Sequence, residues 1–280
     1  MRKIAILFSL LLFGAQPAAA ESSPQLGDLE RNLNSLVSRS SADVGVAVLD
    51  LRTGQSVSVR GARRYPMAST VKIAVAAAYL SQVEHGRRTL DHRIGGQSAA
   101  LLMERMITKS DNPSTDLLLR DLGGPDAIQE WLDSNKISNI RIDRTIAQLL
   151  RAKRDLWDDR DSATPLAMVQ LLQRLHDGKL LQPEGRDHLF GLMRRCTTGK
   201  NRMKALLPWG TPVEHKTGTL NGLTGDVGFI TMPDGRRLAV AFFARGGSDR
   251  PRTIAEAARA VYDGFYRWIW SPGSAAPTAG

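Results

Sequence analysis

The segment from Val71 to Leu80 is apolar on every side of a helix, and Lys72 is its one charged residue. A helix that is hydrophobic all round is normally buried at the centre of a domain. The rest of the chain must therefore supply structure that covers this helix in every direction. Ser69 lies at the mouth of the helix, three residues before Lys72. A serine and a lysine are thus expected one turn apart, on one face of a buried helix.

Strand patterns occupy both ends of the sequence, and helical patterns occupy the middle. Apolar or alternating runs predict strands near each terminus, and Pro233-Asp-Gly235 is a strong hairpin signal between the last two. Segments separated by Gly, Pro, Asp and Asn predict the helices. The predicted strands are 44–50, 56–60, 213–219, 226–232 and 238–244, and the predicted helices are 26–38, 69–80, 99–108, 115–122, 125–135, 165–175, 184–196 and 254–269.

This order predicts an α/β fold of the α+β kind. An antiparallel sheet would be assembled from both termini and flanked by helices, with an all-helical lobe inserted between its halves. Residues 24–64 and 197–270 would form the discontinuous α/β domain, and residues 65–196 the all-helical domain. A cleft between the two is the expected binding site.

The two ends of the chain are expected to lie outside the folded domain. A basic start, an apolar run over 4–13 and Ala18-Ala-Ala20 match a cleavable signal peptide over residues 1–20. That run is too short to span a bilayer, and no later run is long enough. We therefore expect a periplasmic or secreted protein, cleaved after about Ala20, with no transmembrane segment. Residues 271–280, rich in Pro, Ala, Gly and Ser, are expected to be a disordered tail.

The composition excludes several functional classes. The net charge is +10, but the basic residues are scattered, and export argues against a nucleic-acid partner. We expect a solvated basic surface and a monomer. The single cysteine, Cys196, excludes an internal disulfide and is expected to be a buried, inert thiol. The five histidines lack metal-ligand spacing, so neither a metal nor another cofactor is expected.

Three short motifs carry the chemistry, and each occurs once: Ser69-x-x-Lys72, Ser110-Asp-Asn112 and Lys216-Thr-Gly218. A serine hydroxyl is a poor nucleophile and needs a base within reach, which a lysine of lowered pKa can supply. Each motif alone is weak, because such sequences also form turns, helix caps and strand ends. Together, in this order, they indicate acyl-enzyme chemistry at a serine without a catalytic histidine.

Class A β-lactamases and penicillin-binding proteins share these three motifs. The chain resembles the class A β-lactamase family over nearly all of its mature length. Three further segments match the family: Leu122-Gly-Gly-Pro125, Arg141-Ile-Asp-Arg144 and Arg160-Asp-Ser-Ala-Thr-Pro165. The resemblance implies a β-lactamase/transpeptidase-like fold in which Ser69 is the nucleophile and Lys72 its base or proton relay. It also implies that Ser110 passes the proton to the leaving nitrogen.

The resemblance implies the substrate-binding residues as well. They are Asn112 for the substrate amide, Lys216 and Thr217 for the carboxylate, and the backbone N–H groups of Ser69 and Thr219 for the oxyanion. Arg202 matches a position where some members of the family place an extra carboxylate-binding arginine. A plain surface arginine is the alternative. The stretch 222–226, where other members carry that arginine, contains none.

The family's Ω-loop corresponds to residues 143–161, and the resemblance implies that a salt bridge between Arg144 and Asp161 closes its neck. A glutamate two residues after the Asp-Arg pair normally activates the water that releases the acyl group. Ile146 occupies that position here, and Leu150 replaces the asparagine that helps to hold the water. The sequence therefore predicts acylation by β-lactams followed by slow release.

The loop contains no glutamate at all, and its aspartates Asp155, Asp158 and Asp159 would act as a base only if the loop folds differently. Asp116 stands where many members have asparagine. The span from Lys72 to Ser110 is shorter than in the family, which would remove an aromatic gatekeeper and open the cleft.

Three functions therefore remain open. The first is a β-lactam-directed hydrolase, and the second is a D-Ala-D-Ala carboxypeptidase that acts on peptidoglycan peptides. The third is a non-catalytic exported binding module. Release of D-alanine, opening of a cephalosporin and labelling of Ser69 by penicillin would distinguish them.

Overall fold

The structure is a computed structural model that describes residues 24–153 and 155–269, so the expected signal peptide and tail lie outside it. The helices described are α1 (Pro24–Arg39), α2 (Lys72–Glu84), α3 (Ala99–Thr108), α4 (Asn112–Leu122), α5 (Pro125–Ser134), α6 (Ile146–Arg151), α7 (Pro165–His176), α8 (Pro183–Arg194) and α9 (Arg250–Ile269). The strands described are β1 (Asp43–Asp50), β2 (Ser56–Val59), β3 (Tyr65–Pro66), β4 (Arg93–Ile94), β5 (Gln97–Ser98), β6 (Ser162–Ala163), β7 (Val213–Leu220), β8 (Leu223–Thr231) and β9 (Arg237–Arg245).

The main sheet joins the two ends of the chain. Within the described residues it has five antiparallel strands in the order β2-β1-β9-β8-β7. The amino-terminal hairpin therefore lies beside the carboxy-terminal meander. Strands β8 and β9 are buried along nearly their whole length, as expected for central strands covered on both faces. The prediction of an antiparallel sheet built from both termini is confirmed.

Two apolar cores flank this sheet. Successive residues of a strand point to opposite faces, so Val46 of β1 packs with α1 and α9 while Ala47 packs with the helical half. Leu29 and Phe265 represent the first core, and Phe229 of β8 belongs to the second. The sheet thus separates the terminal helices, α1 and α9, from the helical half of the fold.

Helix α2 forms the centre of the helical half. All of its residues from Lys72 to Ser81 are buried, and it contacts α3, α4, α5 and α8. The sequence predicts this burial, but not the way in which the helix begins. A 3₁₀ turn, Ala68–Val71, carries Ser69 and leads into α2, so Ser69 lies in the turn and not in the α-helix. Side chains three residues apart eclipse in a 3₁₀ turn, which still brings Ser69 and Lys72 to one side.

Several short elements are absent from the sequence prediction. Strands β4 and β5 form a small hairpin around Gly95 and Gly96, both of which have positive φ angles. Helix α6 lies inside the predicted Ω-loop. None of the helices in residues 24–153 and 155–269 has the length and hydropathy needed to cross a bilayer.

Candidate active site

Ser69 sits on a strained turn that packs against the sheet. The preceding residue, Ala68, has φ 47°, a conformation that costs free energy for any residue with a side chain and is concentrated at functional sites. The Thr70 hydroxyl donates to the carbonyl of Met67 at 2.8 Å, and the Met67 N–H donates to the carbonyl of Asp161 at 2.9 Å. The turn is therefore stabilised by a hydrogen bond of its own and by one to Asp161 of the Ω-loop. Ser69 itself is half-buried.

Gly218 allows strand β7 to approach this turn. A Cβ atom added to it would lie 2.5 Å from the Met67 carbonyl oxygen and 3.1 Å from Cγ2 of Thr70. Real Cβ atoms do not come so close to a backbone oxygen, so only glycine fits. The third residue of the Lys-Thr-Gly motif is thus a packing requirement that brings β7 alongside Ser69.

The Lys72 amine lies in the fold beside the second motif. It donates to the backbone carbonyl of Ser110 at 2.7 Å, to the Ser110 hydroxyl at 3.3 Å and to Oδ1 of Asn112 at 2.7 Å. Among the described residues no hydrogen bond joins it to the Ser69 hydroxyl. Catalytic hydrogen bonds are often long before a substrate is bound, so this geometry leaves Lys72 within the candidate site.

Ser110 connects two buried lysines. Its hydroxyl accepts from the amine of Lys216 at 2.9 Å as well as from Lys72. Burial, reinforced by the neighbouring charge of Lys216, lowers the pKa of Lys72 to about 7. Burial likewise lowers the pKa of Lys216 to about 8. Near neutral pH one amine can therefore be neutral and the other charged, as a base and a carboxylate-binding cation require.

The remaining binding residues predicted from the sequence gather along β7. Thr217 is buried, whereas Thr219 is exposed and accepts a hydrogen bond from Arg202 at 2.7 Å. Arg202 also donates to the carbonyls of Gly218 and Gly225 at 2.9 Å each. With only 9% of its surface exposed, Arg202 is not a plain surface arginine. Its hydrogen bonds stabilise the end of β7 beside the site.

The structure brings together the neck of the Ω-loop. Asp161 accepts from Nε of Arg144 at 2.5 Å and from the backbone N–H groups of Asp143 and Arg144 at 2.8 and 3.0 Å. Of the loop aspartates, Asp158 pairs with Arg160 at 2.8 Å and with Arg144 at 3.5 Å. The bond from Arg160 lowers the pKa of Asp158 to about 2, so this carboxylate is a weak base held by cations.

Ile146 is the first residue of α6, and its side chain is buried in the apolar core of the helical half. The Asp116 carboxylate accepts the backbone N–H groups of Ile146 at 2.7 Å and of Ala147 at 2.9 Å. Both oxygens of Asp116 are thus engaged at the start of α6. Leu150 is half-exposed on the same helix. These positions offer no free carboxylate to activate a water.

Sequence reasoning missed two features. The sequence shows an aspartate at position 116 but gives no sign of its capping role. A buried cluster of Cys196, His215 and Asp226 was missed as well, because its members are far apart in sequence. In the part of the chain that the structure describes, no group of His, Cys, Asp or Glu side chains is arranged to hold a metal ion.

The fold and site define a class of protein. An ancestral class A β-lactamase superposes with a TM-score of 0.80 and 35% sequence identity, covering 84% of this chain and 99% of that chain. The TLA-1 extended-spectrum β-lactamase gives a TM-score of 0.80 at 28% identity, covering 86% of this chain and 99% of that chain. The architecture is therefore that of a class A β-lactamase.

The model of the β-lactamase enzyme family matches residues 28–265, and the chain belongs to this family of hydrolases. Among curated relatives, β-lactamase CTX-M-8 of Citrobacter amalonaticus is 31% identical over 91% of this chain and 94% of its own length. β-Lactamase VEB-1 of Pseudomonas aeruginosa is 29% identical over 79% of this chain and 84% of its own length. The resemblance predicted from the three motifs is confirmed.

Proposed function

We propose that the protein is a serine hydrolase that β-lactams acylate at Ser69 and that releases the opened product slowly. In this mechanism the Ser69 oxygen attacks the lactam carbonyl while its proton moves to the neutral amine of Lys72. The C–N bond then breaks, and the ring nitrogen receives a proton through the Ser110 hydroxyl. The product is an ester on Ser69. Family membership and the bridging of Lys72 and Lys216 by Ser110 support this first half.

One observation carries the second half of the proposal. By the resemblance, Ile146 takes the position of the deacylating base. Its side chain is buried, and the carboxylate of Asp116 has both oxygens bound to backbone N–H groups of α6. A positioned general base contributes about 10²–10⁴-fold to a proton-transfer step. Hydrolysis of the ester is therefore expected to be slower by about that factor than with a base in place.

Intact-protein mass spectrometry with excess penicillin tests both halves. We expect a rapid mass gain equal to one penicillin molecule, located on Ser69 by peptide mapping, which persists after free antibiotic is removed. The Ser69→Gly variant should show no gain. Fast turnover without a trapped adduct would contradict slow release and point to a substitute base. An unlabelled wild-type protein would leave only the non-catalytic binding module.

A second candidate function is a D-Ala-D-Ala carboxypeptidase acting on peptidoglycan peptides. Two features of the chain favour it: the isoleucine at position 146, and the short span between Lys72 and Ser110, which would leave a more open cleft. Release of D-alanine from a wall peptide, compared with opening of a chromogenic cephalosporin, separates the two functions. Peptide turnover that exceeds cephalosporin turnover would favour the peptidase.

Export and oligomeric state belong to the same proposal. Residues 1–20 match a signal peptide, and an exported enzyme would meet both β-lactams and wall peptides outside the cytoplasmic membrane. We propose a monomer that needs no cofactor. Amino-terminal sequencing of the protein recovered from the periplasm, with cleavage after about Ala20 as the expected result, tests the assignment.

A further inference from the structure

A polar cluster is buried behind the carboxylate-binding strand β7. Nδ1 of His215 bonds Oδ1 of Asp226 at 2.7 Å, and both side chains have no exposed surface. The other oxygen of Asp226 accepts the Met203 N–H at 3.2 Å. Nε2 of His215 is buried and has no hydrogen-bond partner in the described residues. The thiol of Cys196 interacts with this ring electrostatically.

This cluster extends towards the binding residues through hydroxyl groups. Sγ of Cys196 lies 3.3 Å from the Thr198 hydroxyl, which lies 2.5 Å from the Thr217 hydroxyl. The segment that carries Cys196 and Thr198 is also fixed to the end of α3, two residues before Ser110, since the N–H and hydroxyl of Thr197 both bind the Thr108 carbonyl at 2.9 Å. Hydrogen bonds therefore join Cys196 to Thr217 through Thr198, and the thiol interacts electrostatically with the His215 ring, which is bonded to Asp226.

The charges in the cluster favour an ion pair. Burial by itself lowers the pKa of His215, but the Asp226 carboxylate raises it to about 9. Burial raises the pKa of the Cys196 thiol, but His215 lowers it to about 6. The two opposite shifts favour a thiolate–imidazolium pair beside Asp226, so that negative charge lies next to Lys216. That negative charge stabilises the ammonium form of Lys216 against its burial.

We propose that Cys196 and His215, backed by Asp226, are positioning residues that hold Lys216 and Thr217 ready to bind the substrate carboxylate. This inference rests on the proposed function, and it assigns a role to the one cysteine, which the sequence alone marks as inert. Neither side chain touches the reacting atoms. The pair acts by supplying a buried anion near Lys216 and by fixing the hydroxyl of Thr198 against that of Thr217.

Other charged groups also face these residues and contribute to their pKa values. Around Lys216 they are Lys72 of α2, Asp226 of β8, and Cys196 and Arg202 of the segment after α8. Around Cys196 they are His215 and Lys216 of β7, and Arg202. Because two of the groups around Lys216 are cations, removal of the thiolate should lower the pKa of Lys216 further.

Two titrations test the proposal. The ultraviolet absorbance of thiolate reports on Cys196 alone, because the chain has one cysteine. In wild-type protein it should titrate with a midpoint at about 6. In His215→Asn, where the amide can still bond Asp226, the midpoint should rise by about one pH unit or more. His188→Asn, on α8 and outside the cluster, is the matched control and should leave the midpoint unchanged.

The second titration is the pH profile of the acylation rate constant for penicillin, resolved into binding and chemical steps. The limb of this profile is its high-pH side, where the rate constant falls. In Cys196→Ser this limb should move to lower pH by about half a unit or more, and the loss of rate should come from weaker binding of penicillin. Thr198→Val cuts the link to Thr217 without changing charge, so it should weaken binding at every pH without moving the limb. His188→Asn should do neither.

The outcomes separate this inference from the proposed function. A wild-type protein that penicillin does not label overturns the proposed function, and the carboxylate role falls with it. A labelled wild-type protein overturns the inference alone if Cys196→Ser leaves the limb in place. The inference is likewise overturned if the thiol titrates at its ordinary value in the wild type. A limb shift accompanied by an unchanged melting temperature supports a positioning role over a merely structural one.

Discussion

At the scale of single residues, the proposed mechanism assigns different tasks to two buried amines. Lys72 and Lys216 both donate to the Ser110 hydroxyl, and the charge of Lys216 adds to burial in lowering the pKa of Lys72. Lys72 has the lower pKa, about 7, against about 8 for Lys216. The order matters because the base must lose its proton before the carboxylate-binding cation does.

We therefore predict a narrow, bell-shaped pH profile for acylation by a chromogenic cephalosporin. The rate constant should rise as Lys72 loses its proton through pH about 7. It should fall as Lys216 loses its charge through about 8. Stopped-flow measurement with a chromogenic cephalosporin at constant ionic strength checks the profile. A rate constant that is flat from pH 6 to 9 would contradict both assignments.

Ile146→Glu should convert slow release into faster release. The carboxylate would enter the first turn of α6, where a negative charge is favoured by the helix dipole, and it would supply the missing base. Decay of the penicillin adduct should accelerate by about 10²-fold. Mass spectrometry after removal of free antibiotic measures this decay. Ile146→Gln has similar size without a base and should leave decay unchanged. Equal decay in both variants would count against the register of the loop.

At the scale of secondary-structure elements, α6 depends on hydrogen bonds from outside its own six residues. Thr145 and Gln148 form a capping box at its start, and Asp116 binds its first two N–H groups from α4. Four donors at a helix amino terminus lack partners within the helix, so these bonds supply what the helix cannot. The short helix is thus fixed to the helical half by one buried carboxylate.

Asp116→Ala should loosen α6 without unfolding the protein. The variant leaves two N–H groups of the helix without their acceptor, and we expect the free energy of unfolding to fall by about 1–2 kcal/mol in urea titration. Cleavage by a protease within residues 143–161 should become faster. Asp116→Asn retains one acceptor and should lie between the wild type and the alanine variant. Identical stability in all three proteins would show that the cap contributes nothing.

Elements differ in how far the sequence predicts them. Helix α2 is predictable because its residues are apolar on every side, a pattern that only a central helix satisfies. Helix α6 is not, because six residues carry too little periodicity and its first two N–H groups depend on Asp116, thirty residues away. The start of α2 also differs from prediction, because Ser69 lies in a 3₁₀ turn that packs against β7 and that no local pattern encodes.

At the scale of the whole molecule, the site exists only where the sheet meets the helical half. Ser69 comes from the turn before α2, Ser110 from the loop before α4, and Lys216 from β7. The motifs made these three predictable, because each motif is specific and occurs once. The cluster of Cys196, His215 and Asp226 has no such signal, since its contacts arise only when β7, β8 and the segment after α8 pack together.

Gly218→Ala tests this junction directly, because the added methyl would press on the Met67 carbonyl at 2.5 Å and separate β7 from the turn that carries Ser69. We predict a fall in the free energy of unfolding of about 1–3 kcal/mol and a larger proportional loss of acylation, since the two halves of the site part before the fold is lost.

Gly191→Ala is the matched control. Gly191 lies inside α8 with no atom closer than 3.9 Å to the added methyl, so this change should raise stability by about 0.5–1 kcal/mol and leave acylation intact. Urea titration and penicillin labelling of the two variants measure both effects. If Gly218→Ala lost stability but kept its acylation rate, the approach of β7 to the turn would matter for folding and not for the chemistry of the site.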